Sequence, residues 1–263
     1  MALINCSFYS EALGFNTSMT VILPQNTTTQ YGMENVAVSK QLHPTLFLLH
    51  GLSDDDSTWL RRTSIERYVA ALGIAVVMPQ VQRSFYTDMA YGYKYWTFLT
   101  EELPAIARDF FPLSPAREHN FVAGLSMGGY GAFKWALSHP DRFAAAASLS
   151  GAVNMANPYF RDNMMPMDYK LVYGQAKISD TPNDLFHLLA QCERTEGAKP
   201  MLYQCCGTED FLYEDNVLFR DAVRQTALDY TYDEGPGTHD WAYWDARIQD
   251  VLRWLPLNNK EQS

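Results

Sequence analysis

Six short apolar runs, each bounded by turn-forming residues, constrain this chain more than any other feature: Thr45–Leu49, Ile74–Met78, Asn120–Ala123, Ala144–Leu149, Pro200–Cys205 and Tyr230–Tyr232. Runs that are continuously apolar, not alternating, suit strands covered on both faces, as in a parallel sheet. Stretches with helical spacing fall between or after them: Ser64–Leu72, Tyr95–Phe111, Gly129–Ser138, Asp184–Glu193, Glu214–Thr226 and Trp241–Leu255. Such repeated strand–helix alternation predicts an α/β fold, a mostly parallel central sheet with helices on both faces. Ahead of it, Ile4–Tyr9 and Ser18–Leu23 alternate apolar and polar residues around Gly14-Phe15-Asn16, which predicts an antiparallel N-terminal pair. Pro104 is expected to kink its helix, since it has no N–H and crowds the preceding turn. The chain shows no repeat and no linker-like stretch, so residues 1–263 are expected to form a single domain. Residues 154–182 break the rhythm and read as an insertion over the sheet edge.

Composition narrows the function. The 263 residues are 47% hydrophobic and 19% charged, ordinary for a globular protein, and carry a formal charge of −10. That field repels nucleic acid and anionic membranes, and no basic cluster larger than Arg61-Arg62 offsets it. A neutral small molecule is the expected partner, with the oligomeric state, homo-oligomer included, left open. The four cysteines show no C-x-x-C spacing, so no metal site is expected and reduced core thiols are. The N-terminal residues lack the pattern of a signal peptide, and no run of 18 apolar residues occurs. A cytoplasmic location is the default expectation.

The chemistry is concentrated at Gly124-Leu125-Ser126-Met127-Gly128, a G-x-S-x-G pattern between a credible strand and a credible helix. A sharp strand-to-helix turn there lifts a serine above the sheet edge as a nucleophile. The two glycines let neighbouring backbone pass close by while the serine sits in a strained conformation. A bare Gly-rich turn packing a helix on a sheet would use the same residues without chemistry.

Ligands of open α/β sheets bind beyond the carboxyl ends of the strands. His139 ends the helix that begins at Ser126, about 15 Å away at 1.5 Å per residue. His187 lies within a helix, and His43 and His119 precede strands, so these four fall away from that edge. His50 and His239 remain, each just after a strand. The acid should lie between serine and histidine in the chain. Asp210 is the preferred candidate, Glu209 and Asp215 being the alternatives. His50-Gly51 then falls where such a fold supplies one oxyanion N–H, and the expected donors are the backbone N–H groups of Leu52 and Met127.

With those residues in hand, the sequence resembles the esterase D and tributyrin esterase branch of the α/β-hydrolases, which includes S-formylglutathione hydrolases and feruloyl and acetyl esterases. The stretches that carry the resemblance are His50-Gly51-Leu52-Ser53, Gly124–Ala132, Gly207–Tyr213 and Thr238-His239-Asp240-Trp241. The resemblance implies a cofactor-free serine carboxylesterase with Ser126, Asp210 and His239 as triad and Leu52 and Met127 as oxyanion donors. It further implies short acyl esters as substrates: tributyrin-like, aryl or acetylated-sugar esters. Ser53-Asp54 replaces the threonine-cysteine pair usual in formylglutathione hydrolases, which weakens that thioesterase reading. An acyltransferase on the same triad is the other enzymatic alternative, and a non-catalytic binding fold is a third. Tyr159, Met164 and Met165, in the 154–182 insertion, are the candidates for lining an adaptable acyl pocket, with plain packing as the competing role.

Overall fold

The computed structural model describes residues 1–27 and 42–257. Eight strands form one sheet: β1 (Ala2–Ser10), β2 (Phe15–Leu23), β3 (Thr45–Leu49), β4 (Ala75–Pro79), β5 (Asn120–Leu125), β6 (Ala145–Leu149), β7 (Met201–Gly207) and β8 (Tyr230–Gly235). Their order is β1-β2-β4-β3-β5-β6-β7-β8; β2 pairs antiparallel with both β1 and β4, and the other pairs are parallel. The N-terminal hairpin turns at Gly14, whose φ of 74° suits glycine.

Nine α-helices are described: α1 (Thr58–Arg62), α2 (Ile65–Val69), α3 (Tyr95–Thr97), α4 (Leu103–Phe110), α5 (Met127–Ser138), α6 (Pro166–Tyr173), α7 (Leu185–Arg194), α8 (Tyr213–Val223) and α9 (Trp241–Trp254). Strand periodicity divides the core. Leu46, Leu48, Val76, Phe121 and Ala123 point to one face, where α1, α2 and α9 bring Trp59, Ile65, Val69, Trp244 and Val251. Phe47, Leu49, Val77 and Val122 point to the other, covered by α4 to α8. Both faces are thus covered, as continuously apolar strands require.

Three local features differ from the sequence reading. α1 follows the polar run Asp54-Asp55-Asp56 and is too short to show a helical period. The stretch expected to kink at Pro104 instead passes from α3 through a π-type turn, Phe98–Glu102, into α4. Pro104 sits in the first turn of α4, where its missing N–H costs little. The 154–182 segment contains α6 and a π-type turn at Phe160–Met164.

Nearly every residue of α5 is buried, including Lys134. Its Nζ donates to the carbonyl of Tyr86 at 2.9 Å, to Thr87 Oγ1 at 2.9 Å and to Asn183 Oδ1 at 2.8 Å, and lies 4.4 Å from the centre of the Trp96 ring. Burial pushes this ammonium from its ordinary 10.5 down to about 7, with Asp88 pulling weakly the other way. Between those two values the unfolded chain holds a proton that the folded chain has released, so stability should rise with pH. The free energy of urea unfolding of the wild type, less that of Lys134→Met, is therefore expected to increase between pH 7 and 9, by at most about 1.4 kcal/mol per pH unit. A difference that stays flat or falls would contradict a depressed Lys134.

Candidate active site

Ser126 occupies the single residue between β5 and α5, with φ 53° and ψ −117°. A non-glycine residue held there costs on the order of 1–3 kcal/mol and persists only where its surroundings enforce it. The enforcement is visible. A Cβ on Gly124 would meet the Gly128 carbonyl carbon at 2.4 Å, and one on Gly128 would meet the Leu49 carbonyl oxygen at 2.4 Å. Only glycines allow β3, β5 and α5 to come this close. Ser126 donates its N–H to the Leu149 carbonyl at 2.9 Å, and its own carbonyl accepts from Tyr130 and Ala152, each at 3.1 Å.

His239 lies in the loop from β8 to α9, whose N-terminus Asp240 caps through Oδ1 and the Tyr243 N–H at 3.0 Å. Its ring is flanked by Phe211 at 4.6 Å and, perpendicular to it, Trp244 at 4.8 Å. Nε2 is 2.9 Å from Ser126 Oγ, and Nδ1 is 2.8 Å from Asp210 Oδ2 and 3.1 Å from Oδ1. The Asp210 side chain has no exposed surface, and its Oδ1 also accepts from the Leu212 N–H at 2.9 Å. The structure therefore brings Ser126, His239 and Asp210 into one hydrogen-bonded line.

The two alternative carboxylates face elsewhere. Glu209 accepts from the Gly237 N–H at 2.6 Å and donates its own N–H to the Gly237 carbonyl at 3.1 Å. That hydrogen bond from Gly237 holds its carboxyl below the ordinary value. It fastens the acid loop to the histidine loop. Asp215 accepts from Asn154 Nδ2 at 2.7 Å and Asn157 Nδ2 at 3.0 Å, tying the 154–182 segment to α8.

The turn after β3 is clamped by buried side chains. His50 Nε2 must accept from the Val81 N–H at 3.1 Å, so Nδ1 carries the proton and donates to the Gly51 carbonyl at 2.7 Å. Burial lowers the His50 pKa and keeps the ring neutral. Tyr86 donates its hydroxyl to the His50 carbonyl at 2.9 Å, Trp59 its indole N–H to the Leu49 carbonyl at 3.0 Å, and Gly51 its N–H to Asp54 Oδ2 at 3.2 Å. A Cβ on Gly51 would lie 3.8 Å from the Ser126 Cβ, so this turn abuts the serine. Leu52 follows it at once. Met127 opens α5, and its N–H is one of the four that a helix leaves without an internal acceptor. Sequence reasoning missed Trp59 and Tyr86, which belong to no motif, and the clasping role of Glu209, whose partner lies 28 residues away.

Of the pocket candidates, Met165 is buried in the core, while Tyr159 and Met164 are exposed. Met167 is 69% exposed, so the outer face of this segment carries apolar surface as well as charge. Among the described residues no group of three or more His, Cys, Asp or Glu side chains is arranged to hold a metal ion, and no helix is long and apolar enough to cross a membrane.

A doubly wound, mostly parallel sheet with a strained serine at a strand–helix turn, a histidine after the last strand and a buried aspartate between them defines the α/β-hydrolase class. Residues 10–255 match the Esterase family, described as "Putative esterase", and the chain belongs to that family. It is 30% identical to an acetyl esterase of Caldicellulosiruptor saccharolyticus over 97% of this chain and 98% of that protein. Among solved structures it is similar to the fluorophosphonate-binding serine hydrolase FphF of Staphylococcus aureus, with TM-score 0.87, 37% identity, and coverage of 97% and 98%. It is also similar to the S-formylglutathione hydrolase FrmB of the same organism, with TM-score 0.84 and 37% identity over the same shares of the two chains. The chain is accordingly an ester hydrolase.

Asp210→Asn is expected to lower kcat by about 10⁴, because an amide at Nδ1 favours the wrong imidazole tautomer. Glu209→Gln keeps an acceptor for the Gly237 N–H and should change kcat less than about threefold. Steady-state kinetics of the two variants on one ester would check this; the reverse ranking would contradict the geometry.

Proposed function

We propose that this protein is a serine carboxylesterase that cleaves short acyl groups from neutral esters through an acyl-enzyme on Ser126. The observation that carries the reading is the 2.9 Å contact from Ser126 Oγ to His239 Nε2, continued to Asp210 at Nδ1. In the first step His239 Nε2 takes the serine proton as Oγ attacks the ester carbonyl carbon. The charge that develops on the carbonyl oxygen is met by the N–H groups of Leu52 and Met127, fixed in advance by the clamped turn and by the helix start. Asp210 holds the imidazole in the tautomer whose Nε2 can accept, and stabilises the imidazolium that forms. His239 then passes its proton to the departing alcohol. Water repeats the sequence on the acyl-enzyme and regenerates Ser126.

Two features support short acyl groups without activation at oil–water interfaces. Each methylene that enters an apolar site adds about 0.8 kcal/mol, a gain that ends when the site is full. A lipase-type lid must move, whereas the 154–182 segment is fastened on both sides: by Asn154 and Asn157 to Asp215, by Asp168 to Arg83, and by the Leu171 and Val172 carbonyls to the N–H groups of Tyr91 and Ala90. The acidic run Asp54–Asp56 beside the oxyanion turn and the charge of −10 favour neutral substrates over anionic ones such as glutathione thioesters.

A p-nitrophenyl ester series tests the reading. Activity is expected to peak at about two to six acyl carbons, where the gain per methylene ends. Ser126→Ala should abolish both turnover and fluorophosphonate labelling while the protein keeps its thermal transition. A preference for acyl chains of about twelve carbons or more, or a jump in tributyrin hydrolysis once droplets form, would overturn it.

A further inference from the structure

Ser126 is one point on a row of loops along the same sheet edge. The strand order β5-β3-β4-β2 sets out in succession Ser126 after β5, Gly51 and Leu52 after β3, Gln82 and Arg83 after β4, and Phe15 at the start of antiparallel β2. With neighbouring strands ~4.8 Å apart, the lateral distance from Ser126 is about 10 Å to the Arg83 loop and about 14 Å to Phe15.

At the far end of this row lies a cavity of about 520 Å³. Phe15, Tyr91, Tyr93 and Tyr95 give it aromatic walls, and Arg83 and Asp168 stand in its polar wall. Tyr91 is 62% exposed and Tyr93 53%. Single exposed aromatics are ordinary. These are not loose, however. Residues 88–94 form a small hairpin in which Met89 N–H donates to the Tyr93 carbonyl at 3.1 Å. Its base is held by the Asp88 carboxylate, which accepts from the Thr97 N–H at 2.9 Å and the Thr97 hydroxyl at 2.8 Å. Its tip is held to the end of α6, where Ala90 and Tyr91 donate N–H groups to the Val172 and Leu171 carbonyls. Tyr93 stands roughly perpendicular to Phe15 at 4.8 Å and to Tyr95 at 6.4 Å. A backbone held at both ends, with the Tyr93 ring already packed on Phe15 and Tyr95, reduces the ordering cost of binding.

The polar wall says what the ligand is. Arg83 and Asp168 form a two-point ion pair, Nε to Oδ1 at 2.9 Å and Nη2 to Oδ2 at 2.7 Å. The pair is neutral as a unit, yet keeps spare N–H donors on the guanidinium and spare lone pairs on the carboxylate. Adjacent hydroxyls, each both donor and acceptor, match that pattern. An anion would face the Asp168 carboxylate within a chain of charge −10. An alkyl chain would strip water from the pair and return no hydrogen bond. A ring with apolar C–H faces for the tyrosines and hydroxyls at its edge satisfies both walls.

We propose that this cavity is a distal carbohydrate subsite, which holds one sugar ring of an oligosaccharide while an acyl ester on another ring of the same molecule reaches Ser126. The proposal rests on the serine-esterase reading, and adds to it an extended saccharide on the alcohol side of the substrate.

The test uses O-acetylated xylo-oligosaccharides of one to four rings, with p-nitrophenyl acetate as the sugar-free control. Wild type is compared with the Tyr91→Ala/Tyr93→Ala double variant, and with Asp168→Asn as a variant that leaves the rings in place. In the wild type kcat/KM per acetyl group is expected to rise about tenfold from one ring to three or four, chiefly through KM. The double variant should lose that rise, and Asp168→Asn most of it, while both hydrolyse p-nitrophenyl acetate within about twofold of wild type. Rates independent of ring number, a rise that survives the double variant, or cleavage of p-nitrophenyl acetate with none of the acetylated sugars would overturn the subsite alone. Wild-type protein inert on p-nitrophenyl acetate would overturn the esterase reading and the subsite together.

Discussion

The close passage of three backbones at Gly124 and Gly128 is the constraint on which the rest of the site depends. With no side chain at either position, α5 starts directly against the ends of β3 and β5. That contact forces Ser126 into a conformation it would not adopt alone, and it sets the first N–H groups of α5 beside the turn that follows β3. One steric fact thus holds the strained serine in place and brings the start of α5 against the backbone of Leu49 and His50. A Cβ at Gly128 would have to displace the Leu49 carbonyl, and with it the turn that carries Leu52.

The protein surrounds this arrangement with buried polar contacts whose partners are fully determined. A backbone carbonyl at the end of a strand would otherwise lack a donor, and each one here is met by a specific side chain: Leu49 by Trp59, His50 by Tyr86, Gly51 by His50 itself. Lys134 then fastens the segment that presents Tyr86, where Phe85 and Tyr86 both have positive φ. Satisfied polar networks of this kind specify a single geometry, since any slippage leaves a buried group unpaired. The acid and histidine loops are joined at the surface by the exposed contact of Glu209 with Gly237. Preorganised dipoles cost no reorganisation during a reaction, which is the advantage that such rigidity would give the proposed oxyanion donors.

Much of this was legible in the sequence. All six expected runs overlap observed strands, from β3 to β8; β3 to β7 are buried as their apolar runs imply, whereas β8, at the sheet edge, has no buried residue. Ser126, His239 and Asp210 could be picked out because chain order and strand ends leave few positions at the carboxyl edge. Asp210 was preferred over Glu209, and the side chains show why the two differ: Asp210 meets the imidazole while Glu209 turns to Gly237. Sheet order was not legible, because apolar runs carry no label for their neighbours. The burial of Lys134 was not legible either, since a lysine in a helix reads as a solvated residue until its three acceptors, from residues 86, 87 and 183, are seen to converge on it. α6 escaped notice because its buried residues, Tyr169, Val172 and Tyr173, span little more than one turn. The outer face of residues 154–182 was not legible from the sequence, where Met164, Met167 and Leu171 prove to be exposed.

The central claim, a covalent acyl-enzyme on Ser126 relayed through His239, can be tested by rapid acid quench of the protein with p-nitrophenyl acetate, followed by peptide mass mapping. The account predicts one acetyl group on the peptide that carries Ser126, appearing with the first burst of p-nitrophenol and absent from His239→Ala protein. Turnover with no acetylated peptide, or an acetyl group that accumulates on any other residue at the rate of the burst, would contradict it.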